Sequence, residues 1–204
     1  MNKNISVVVF DLGMVLIPFD YNIMLKKLDI IDEGLGKRYY SKYKLNYDIY
    51  KEYEKWSISD DEFCDLNINW LENRLTKEEF KVMWSDIFLK ETRLTSLLQR
   101  IKENYKLVLL SNTCHIHQKY GWEKYQFLKY FDQLIISHEV NAYKPMNEIY
   151  KAVENYTQRP PQEHLYIDDI FEYVEKANIL GWNTIHFIDE DDTYNKIVDF
   201  LKLE

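Results

Sequence analysis

Five short apolar runs, which alternate with helical patterns, constrain the fold more than any other feature of this sequence. They occupy residues 5–10, 106–110, 133–137, 163–167 and 183–188. Each run is rich in β-branched residues or leucine and has the length of a strand buried on both faces. Apolar residues at helical spacing precede the second run, at Leu94, Leu97, Leu98 and Ile101. Strands that alternate with helices predict an α/β protein with a Rossmann-like parallel sheet covered on both faces.

The segment after the first run is far longer than a simple crossover between parallel strands requires. It contains two capping boxes, Ser59-x-x-Glu62 and Thr76-x-x-Glu79, which are typical of helix starts. We therefore expect an all-helical cap domain at residues 18–90, inserted after the first strand. The core domain then consists of residues 1–17 and 91–204.

A tyrosine stripe, Tyr40, Tyr43, Tyr47 and Tyr50, lies within this predicted cap. Its steps of three, four and three residues place the four rings on one face of a single helix. Packing of that face against the rest of the cap is the favoured interpretation, because amphipathic stripes usually face a core. The alternative is a platform for a sugar or another ring-shaped substrate.

Composition and charge exclude several classes of protein. With 5 Gly and 4 Pro in 204 residues, the chain is neither collagen-like nor disordered, and a turn-dense β-sandwich is disfavoured. A net charge of −8 without a basic stripe argues against nucleic acid and anionic membranes as partners. Cys64 and Cys114 suit a reducing compartment, and the first apolar run ends at Asp11, too early for a signal peptide or a membrane span. We expect a cytoplasmic protein.

Polar residues follow the predicted strands where each strand ends. Asp11 follows the first, Ser111-Asn112-Thr113 the second, and Asp168-Asp169 the fourth, while a later loop carries Lys144-Pro145. The carboxyl ends of parallel strands share one edge, where ligands bind in such folds. Hydroxyl and amide donors before a helix N-terminus are suited to a phosphate group, and Pro145 is expected to open a helix at its first position.

Three carboxylates and one lysine would meet at this edge: Asp11, Asp168, Asp169 and Lys144. Carboxylates so close repel one another unless a cation lies among them, and oxygen ligands favour Mg²⁺. Each piece alone is also typical of a turn, a helix cap or a solvated surface. Their order along the chain makes the pattern specific.

This order resembles the haloacid dehalogenase-like superfamily over nearly the whole chain. The matching motifs are Phe10-Asp11-Leu12-Gly13, Leu110-Ser111-Asn112-Thr113, Lys144-Pro145 and Asp168-Asp169, followed by Ala177 and Gly181 at the family's spacing. Asp-Leu-Gly in the first motif is similar to a group that includes bacterial sugar-phosphate phosphatases, such as an α-glucose-1-phosphate phosphatase. Asp20 and Asn22 resemble the continuation of that group's motif.

The resemblance implies a Mg²⁺-dependent phosphomonoester hydrolase that acts on a small phosphorylated metabolite through an aspartyl-phosphate intermediate. Asp11 would be the nucleophile, and Ser111 and the amide of Asn112 would hold phosphoryl oxygens. Lys144 would balance the charge of Asp11 and the phosphate. The implied metal ligands are the Asp11 carboxylate, the Gly13 carbonyl and chiefly Asp169, with Asp168 adjacent.

Two residues depart from the family pattern. Gly13 stands where most phosphatases of the superfamily carry an Asp that serves as general acid and base. Such help is worth roughly 10²–10⁴-fold in rate, so we expect a slow enzyme. Asp20 is a candidate replacement, although an N-cap role at a helix start suits it as well. Tyr173 replaces the Asn that typically supports the metal site.

Two other functions stay open at this point. A metal-independent dehalogenase would use Asp11 to attack carbon, but the Asp168-Asp169 pair argues against it. A catalytically degenerate protein that binds a phosphometabolite or a partner is suggested by Gly13 and Tyr173. The favoured ligand remains a small-molecule phosphate ester.

Overall fold

The computed structural model describes residues 4–203, and this part of the chain contains one parallel sheet of five strands. The strands are β1 (Val7–Phe10), β2 (Lys106–Ser111), β3 (Gln133–Ile136), β4 (His164–Asp168) and β5 (Asn183–His186). Their order in the sheet is β3-β2-β1-β4-β5, so β1 lies in the centre between β2 and β4. Each predicted apolar run forms one of these strands, and the predicted α/β Rossmann-like fold is confirmed.

The described residues contain ten α-helices. They are α1 (Asn22–Ile31), α2 (Leu35–Leu45), α3 (Tyr47–Glu54), α4 (Asp60–Trp70), α5 (Lys77–Ser85), α6 (Leu98–Lys102), α7 (Ser137–Val140), α8 (Asn147–Thr157), α9 (Phe171–Ile179) and α10 (Glu190–Leu201). Short 3₁₀ segments occur at Arg93–Leu97, Gln126–Tyr130 and Pro161–Glu163, and a π-helical segment at His117–Trp122. None of the helices described for residues 4–203 has the length and apolar character to span a bilayer.

Side chains of β1 alternate between two hydrophobic cores, one on each face of the sheet. Val8 and Phe10 belong to the core that α6 and α10 cover, while Val7 and Val9 belong to the core that α8 and α9 cover. All four residues of β1 are buried. A strand buried on both faces offers polar positions only at its ends, which is why the chemistry of this sheet lies at an edge.

The helices α1 to α5 form a cap with a hydrophobic core of its own. Aromatic rings dominate this core: Tyr53 stacks on Phe63 at 4.0 Å between ring centroids, and Phe63 lies 5.0 Å from Trp84. Both predicted capping boxes form, with Ser59 and Thr76 accepting from the third backbone amide of α4 and α5. The predicted all-helical cap is therefore confirmed.

Two connections between cap and core run side by side. The Asp20 amide donates to the Ile87 carbonyl at 2.9 Å, and the Leu89 amide donates to the Pro18 carbonyl at 2.8 Å. Cap residues and the strand-end residues Asp11, Ser111 and Asp169 line one cavity, so the cap lies over the carboxyl ends of the strands. The limits of the cap at residues 18–90 and of the core at 1–17 and 91–204 stay a prediction, and residues 1–3 and 204 of that core lie outside the described residues.

Two local predictions are wrong. The tyrosine stripe does not lie on one helix, because α2 ends at Leu45 and Asn46 leaves helical geometry with φ −118° and ψ 28°. Pro145 does not open a helix either. Met146 is extended, with ψ 142°, so α8 begins only at Asn147, and the peptide bond before Pro145 is cis.

Candidate active site

The sheet order brings three polar strand ends together. Asp11 follows β1 directly, Ser111 ends β2 and Asp168 ends β4. Because β1 is hydrogen-bonded to both β2 and β4, these side chains are neighbours at the carboxyl edge. All three are buried, with 7% exposure for Asp11, 3% for Ser111 and none for Asp168.

Lys144 lies at the centre of this edge and is 1% exposed. Its Nζ donates to Asp11 Oδ1 and Asp168 Oδ2, both at 2.7 Å, and to the Leu110 carbonyl at 3.2 Å. Burial alone would lower the pKa of Lys144, but the carboxylates of Asp11 and Asp168 outweigh it and hold the pKa above its ordinary value. Lys144 is therefore a fixed cation that bridges two strand ends.

The side chain of Asn112 holds the backbone of Lys144 in place. Asn112 Oδ1 accepts from the Lys144 amide at 2.7 Å, and Asn112 Nδ2 donates to the Lys144 carbonyl at 3.0 Å. The same Nδ2 lies 3.4 Å from the Tyr173 hydroxyl, which accepts from it. The side-chain amide of Asn112 is thus occupied by contacts within the protein.

The three carboxylates form a tight cluster. Asp11, Asp168 and Asp169 each offer an oxygen, and these atoms all lie within 4.8 Å of one another. Burial raises the pKa of Asp11, Lys144 lowers it in part, and Asp168 and Asp169 raise it further. Burial and the neighbouring Asp168 also raise the pKa of Asp169. One lysine does not neutralise this charge, so the cluster favours a cation.

The donors of the cluster fit Mg²⁺. Lys144 occupies one oxygen of Asp11, and within residues 4–203 no hydrogen bond reaches the other. Both oxygens of Asp168 accept hydrogen bonds, Oδ1 from the Ile170 amide and Oδ2 from Lys144 and the Tyr166 hydroxyl. Asp11 and Asp169 thus have more free ligand capacity than Asp168. A set of hard oxygen donors of this kind suits Mg²⁺.

The Gly13 carbonyl, the remaining predicted metal ligand, accepts from the Val15 amide at 2.7 Å. A carbonyl oxygen has a second lone pair, so this contact leaves one for a metal ion. A Cβ built on Gly13 would lie 2.9 Å from Cε1 of Phe19, so a side chain at this position would require the Phe19 ring to shift. The Phe19 ring thus packs directly beside Gly13.

A cavity of about 350 Å³ lies between this edge and the cap. Its floor includes Asp11, Ser111, Lys144 and Asp169. Aromatic side chains form much of its wall, namely Phe19, Tyr21, Tyr39, Tyr40, Tyr43, Tyr47, Tyr50, Trp84 and Phe88. Among the described residues that line it, the cap contributes no lysine or arginine. The cavity is therefore an aromatic chamber with a charged floor.

The tyrosine stripe is consistent with both packing within the cap and contact with a ligand. Tyr40, Tyr43, Tyr47 and Tyr50 all line the cavity. Tyr50 is also 7% exposed and packs 5.9 Å from Trp84 in the cap core. Although Asn46 breaks the helix, Tyr43 and Tyr47 still meet at 5.9 Å between ring centroids.

Glu54, which the sequence analysis missed, also lines this cavity. It is the last residue of α3 and is 7% exposed. Burial raises its pKa to about 7, and Tyr50, Lys144 and Lys51 offset this only in part. A signal was present, because Glu54 continues the Tyr47 and Tyr50 spacing by four residues and so shares their helix face.

Asp20, considered as a replacement acid, lies outside the cavity lining. Its Oδ1 accepts from the Asn22 amide at 2.9 Å and from Asn22 Nδ2 at 2.8 Å, at the start of α1. Asp20 thus stabilises a helix start. Its carboxylate has no contact that would serve the reacting groups.

Two further side chains border the charged floor. His117 stacks on Trp84 at 3.8 Å, and burial lowers its pKa to about 3, so its imidazole is neutral at physiological pH. Tyr173 places its ring centroid 5.1 Å from Lys144 Nζ, where the family pattern has Asn. The Tyr173 ring and hydroxyl thus support the lysine and Asn112 from the side of α9.

A family model described as haloacid dehalogenase-like hydrolase matches residues 47–187, which is more than half of the chain. The chain belongs to the haloacid dehalogenase-like hydrolases. The match begins at the first residue of α3 and includes Lys144, Asp168 and Asp169. The parallel sheet and helical cap are thus those of a haloacid dehalogenase-like hydrolase.

Solved structures of this family are similar along nearly the whole chain. The crystal structure of a family enzyme from Bacteroides thetaiotaomicron is 27% identical, with a TM-score of 0.79, covering 90% of this chain and 94% of that one. Its wild-type complex with magnesium and inorganic phosphate is 28% identical, with a TM-score of 0.78, covering 89% and 93%. An L-2-haloacid dehalogenase from Xanthobacter autotrophicus, at 16% identity and a TM-score of 0.61 over 96% and 83%, shares the fold alone.

Proposed function

We propose that this hydrolase is a Mg²⁺-dependent phosphomonoesterase that acts on a small phosphorylated metabolite, with sugar phosphates as first candidates. The observation that carries the proposal is the buried Lys144 between Asp11 and Asp168, with Asp169 beside them, on the floor of a cavity beneath the cap. The complex of the Bacteroides enzyme with magnesium and inorganic phosphate supports the same pair of ligands here. The sugar-phosphate preference rests on the Asp-Leu-Gly motif of the first strand end.

Asp11 is the proposed nucleophile. Lys144 donates to Asp11 Oδ1, which keeps a second lone pair for a metal ion, and the other carboxylate oxygen is left for in-line attack on phosphorus. The alcohol leaves, and water then releases phosphate from the aspartyl ester, so that one difficult step becomes two easier ones. Ser111 and the Asn112 main chain hold phosphoryl oxygens, while bound Mg²⁺ at Asp11, Gly13 and Asp169 would supply charge neutralisation.

The cap selects the alcohol part of the substrate in this proposal. The aromatic wall gives apolar contact and tyrosine hydroxyls, and a cavity of about 350 Å³ suits a small metabolite. Because no lysine or arginine of the described cap residues lines the cavity, a second anionic group would find no cationic side chain of the cap there. Monophosphates with an uncharged alcohol part are therefore preferred over bisphosphates and phosphorylated acids.

Phosphate release from a panel of phosphomonoesters, with Mg²⁺ and with EDTA, tests the proposal. We expect release with Mg²⁺, loss of release in EDTA and loss of release in Asp11→Asn. Asp20→Asn is the matched control, because it makes the same change at a carboxylate outside the cavity lining.

Release that survives in EDTA or in Asp11→Asn would contradict this mechanism. Halide release from a haloacid in EDTA would instead support a dehalogenase that uses Asp11 on carbon. Tight binding of a phosphate ester in calorimetry without turnover would support a catalytically degenerate binding protein.

A further inference from the structure

Among the described residues, the cavity floor offers no carboxyl outside the nucleophile and metal cluster to give a proton to the leaving alcohol. All three Nζ protons of Lys144 have acceptors, at Asp11, Asp168 and the Leu110 carbonyl. Gly13 has no side chain, and the Phe19 ring fills the space beside it. An alcohol is a poor leaving group unless its oxygen receives a proton as the bond to phosphorus breaks. The proton must therefore come from elsewhere in the cavity.

Glu54 is the carboxyl that the cap places in this cavity. The titratable groups that interact electrostatically with Glu54 belong to both the cap and the core. They are Tyr21, Tyr43, Tyr47, Tyr50 and Lys51 of the cap, and Cys114, Lys144 and Tyr173 of the core. Lys144 lies close enough for its charge to lower the pKa of Glu54, and Glu54 in turn raises the pKa of Tyr173. Glu54, Lys144 and Tyr173 line the same cavity, so Glu54 and the charged floor border one space.

Other titratable groups that line the cavity fit the role less well. Asp11 and Asp169 belong to the nucleophile and metal cluster. The imidazole of His117 is neutral and directs Nε2 to the Trp84 carbonyl at 3.3 Å. Burial raises the pKa of the Tyr21 hydroxyl above its ordinary value, which makes it a weaker acid. Among the described residues, Glu54 is then the remaining carboxyl of the lining.

We propose that Glu54 is the general acid and base of the reaction, an inference that rests on the proposed phosphatase function. As Asp11 forms its bond to phosphorus, the bond from phosphorus to the alcohol oxygen breaks. The oxygen keeps the electron pair and takes the proton of the Glu54 carboxyl. Water then attacks phosphorus and gives a proton to the Glu54 carboxylate, while the electron pair of the broken phosphorus–oxygen bond returns to Asp11.

The surroundings of Glu54 suit both halves of this cycle. A group that gives and takes a proton works best when its pKa is near the operating pH. Burial raises the pKa of Glu54 to about 7, because the hydroxyl of Tyr50 and the charges of Lys144 and Lys51 offset the loss of water only in part. Both the protonated and the ionised form are therefore populated near neutral pH.

Two esters that differ by one methylene group test the role: p-nitrophenyl phosphate and p-nitrobenzyl phosphate. The nitrophenolate leaves without a proton, whereas the benzylic alkoxide needs one. We expect Glu54→Gln to lower kcat/KM for the benzyl ester by about 10²–10³-fold and to change that for the phenyl ester by less than about 3-fold. The alkaline fall of kcat/KM for the benzyl ester near pH 7 should disappear in Glu54→Gln.

Glu52→Gln is the matched control, because Glu52 belongs to the same helix and its side chain is 46% exposed. It should leave both esters unchanged. Equal losses for the two esters in Glu54→Gln, or no loss for either, would overturn the assignment. If the wild-type protein hydrolyses neither ester, the proposed phosphatase function fails and the role of Glu54 fails with it. Hydrolysis that requires Asp11 but not Glu54 overturns the role of Glu54 alone.

Discussion

Replacement of Glu54 by glutamine should make the protein more stable at alkaline pH. Burial raises the pKa of Glu54 from the ordinary 4.5 to about 7 in the folded chain. Each unit of difference between the folded and unfolded pKa corresponds to about 1.4 kcal/mol. Ionised Glu54 therefore lowers the free energy of unfolding by about 3 kcal/mol. Glutamine has nearly the same shape and never ionises, so Glu54→Gln removes this cost.

The gain in stability of Glu54→Gln rises as the pH rises. Below pH 4.5 Glu54 is protonated in both the folded and the unfolded chain, and the variant gains nothing. Between pH 4.5 and about 7 the unfolded chain loses the proton while the folded chain keeps it, so the wild-type protein loses stability relative to the variant as the pH rises. Above pH 7 both states are ionised and the difference stays constant.

Thermal melting in EDTA at pH 4.5 and pH 8 measures this difference. For a chain of this size about 1 kcal/mol moves Tm by roughly 2–4 °C, so we expect Glu54→Gln to melt about 6–12 °C higher at pH 8 and within about 2 °C of the wild type at pH 4.5. In Glu52→Gln the sign should reverse, because a hydrogen bond from Lys55 lowers the pKa of Glu52. A Tm difference for Glu54→Gln that is independent of pH, or negative at pH 8, would refute the reasoning.

Lys144→Met should lower the free energy of unfolding by about 3–5 kcal/mol, because it leaves two buried carboxylates without a counter-charge; urea denaturation in EDTA measures it. Lys151→Met, which removes an exposed ion pair from α8, should change that free energy by less than about 1 kcal/mol and serves as the control. Gly13→Asp should cost about 1–3 kcal/mol in the same assay, since Phe19 must move, and Phe19→Leu in the same chain should restore part of the loss. An unchanged midpoint in Lys144→Met or Gly13→Asp would contradict the packing described for each.

Much of the fold was predictable from the sequence because it depends on local patterns. Strand length, β-branched composition and capping boxes are properties of a few consecutive residues, and all of them predicted the observed elements. The meeting of Asp11, Lys144 and Asp168 was predictable for a different reason. Once the strands are parallel, their carboxyl ends must share an edge, so the order of the motifs alone brings these residues together.

What the sequence did not predict depends on packing between distant segments. The ring of Phe19 against Gly13 and the clamp of Asn112 on Lys144 involve contacts that no local pattern encodes. The tyrosine stripe was visible, but a single broken position, Asn46, was enough to divide the predicted helix in two. Glu54 continues the stripe, yet its burial depends on how cap and core pack around the cavity and not on its spacing.

The position of Glu54 links the choice of substrate to the chemistry. In this proposal Asp11 and Lys144 act from the sheet edge, whereas the proton comes from a helix of the cap. A phosphate ester whose alcohol part does not fill the aromatic chamber would bind the floor without placing its leaving oxygen beside Glu54. Because general acid help is worth roughly 10²–10⁴-fold, a poor fit in the cap would lower kcat as well as binding. In this proposal Glu54 of the cap supplies the acid that the first motif, with Gly13, does not contain.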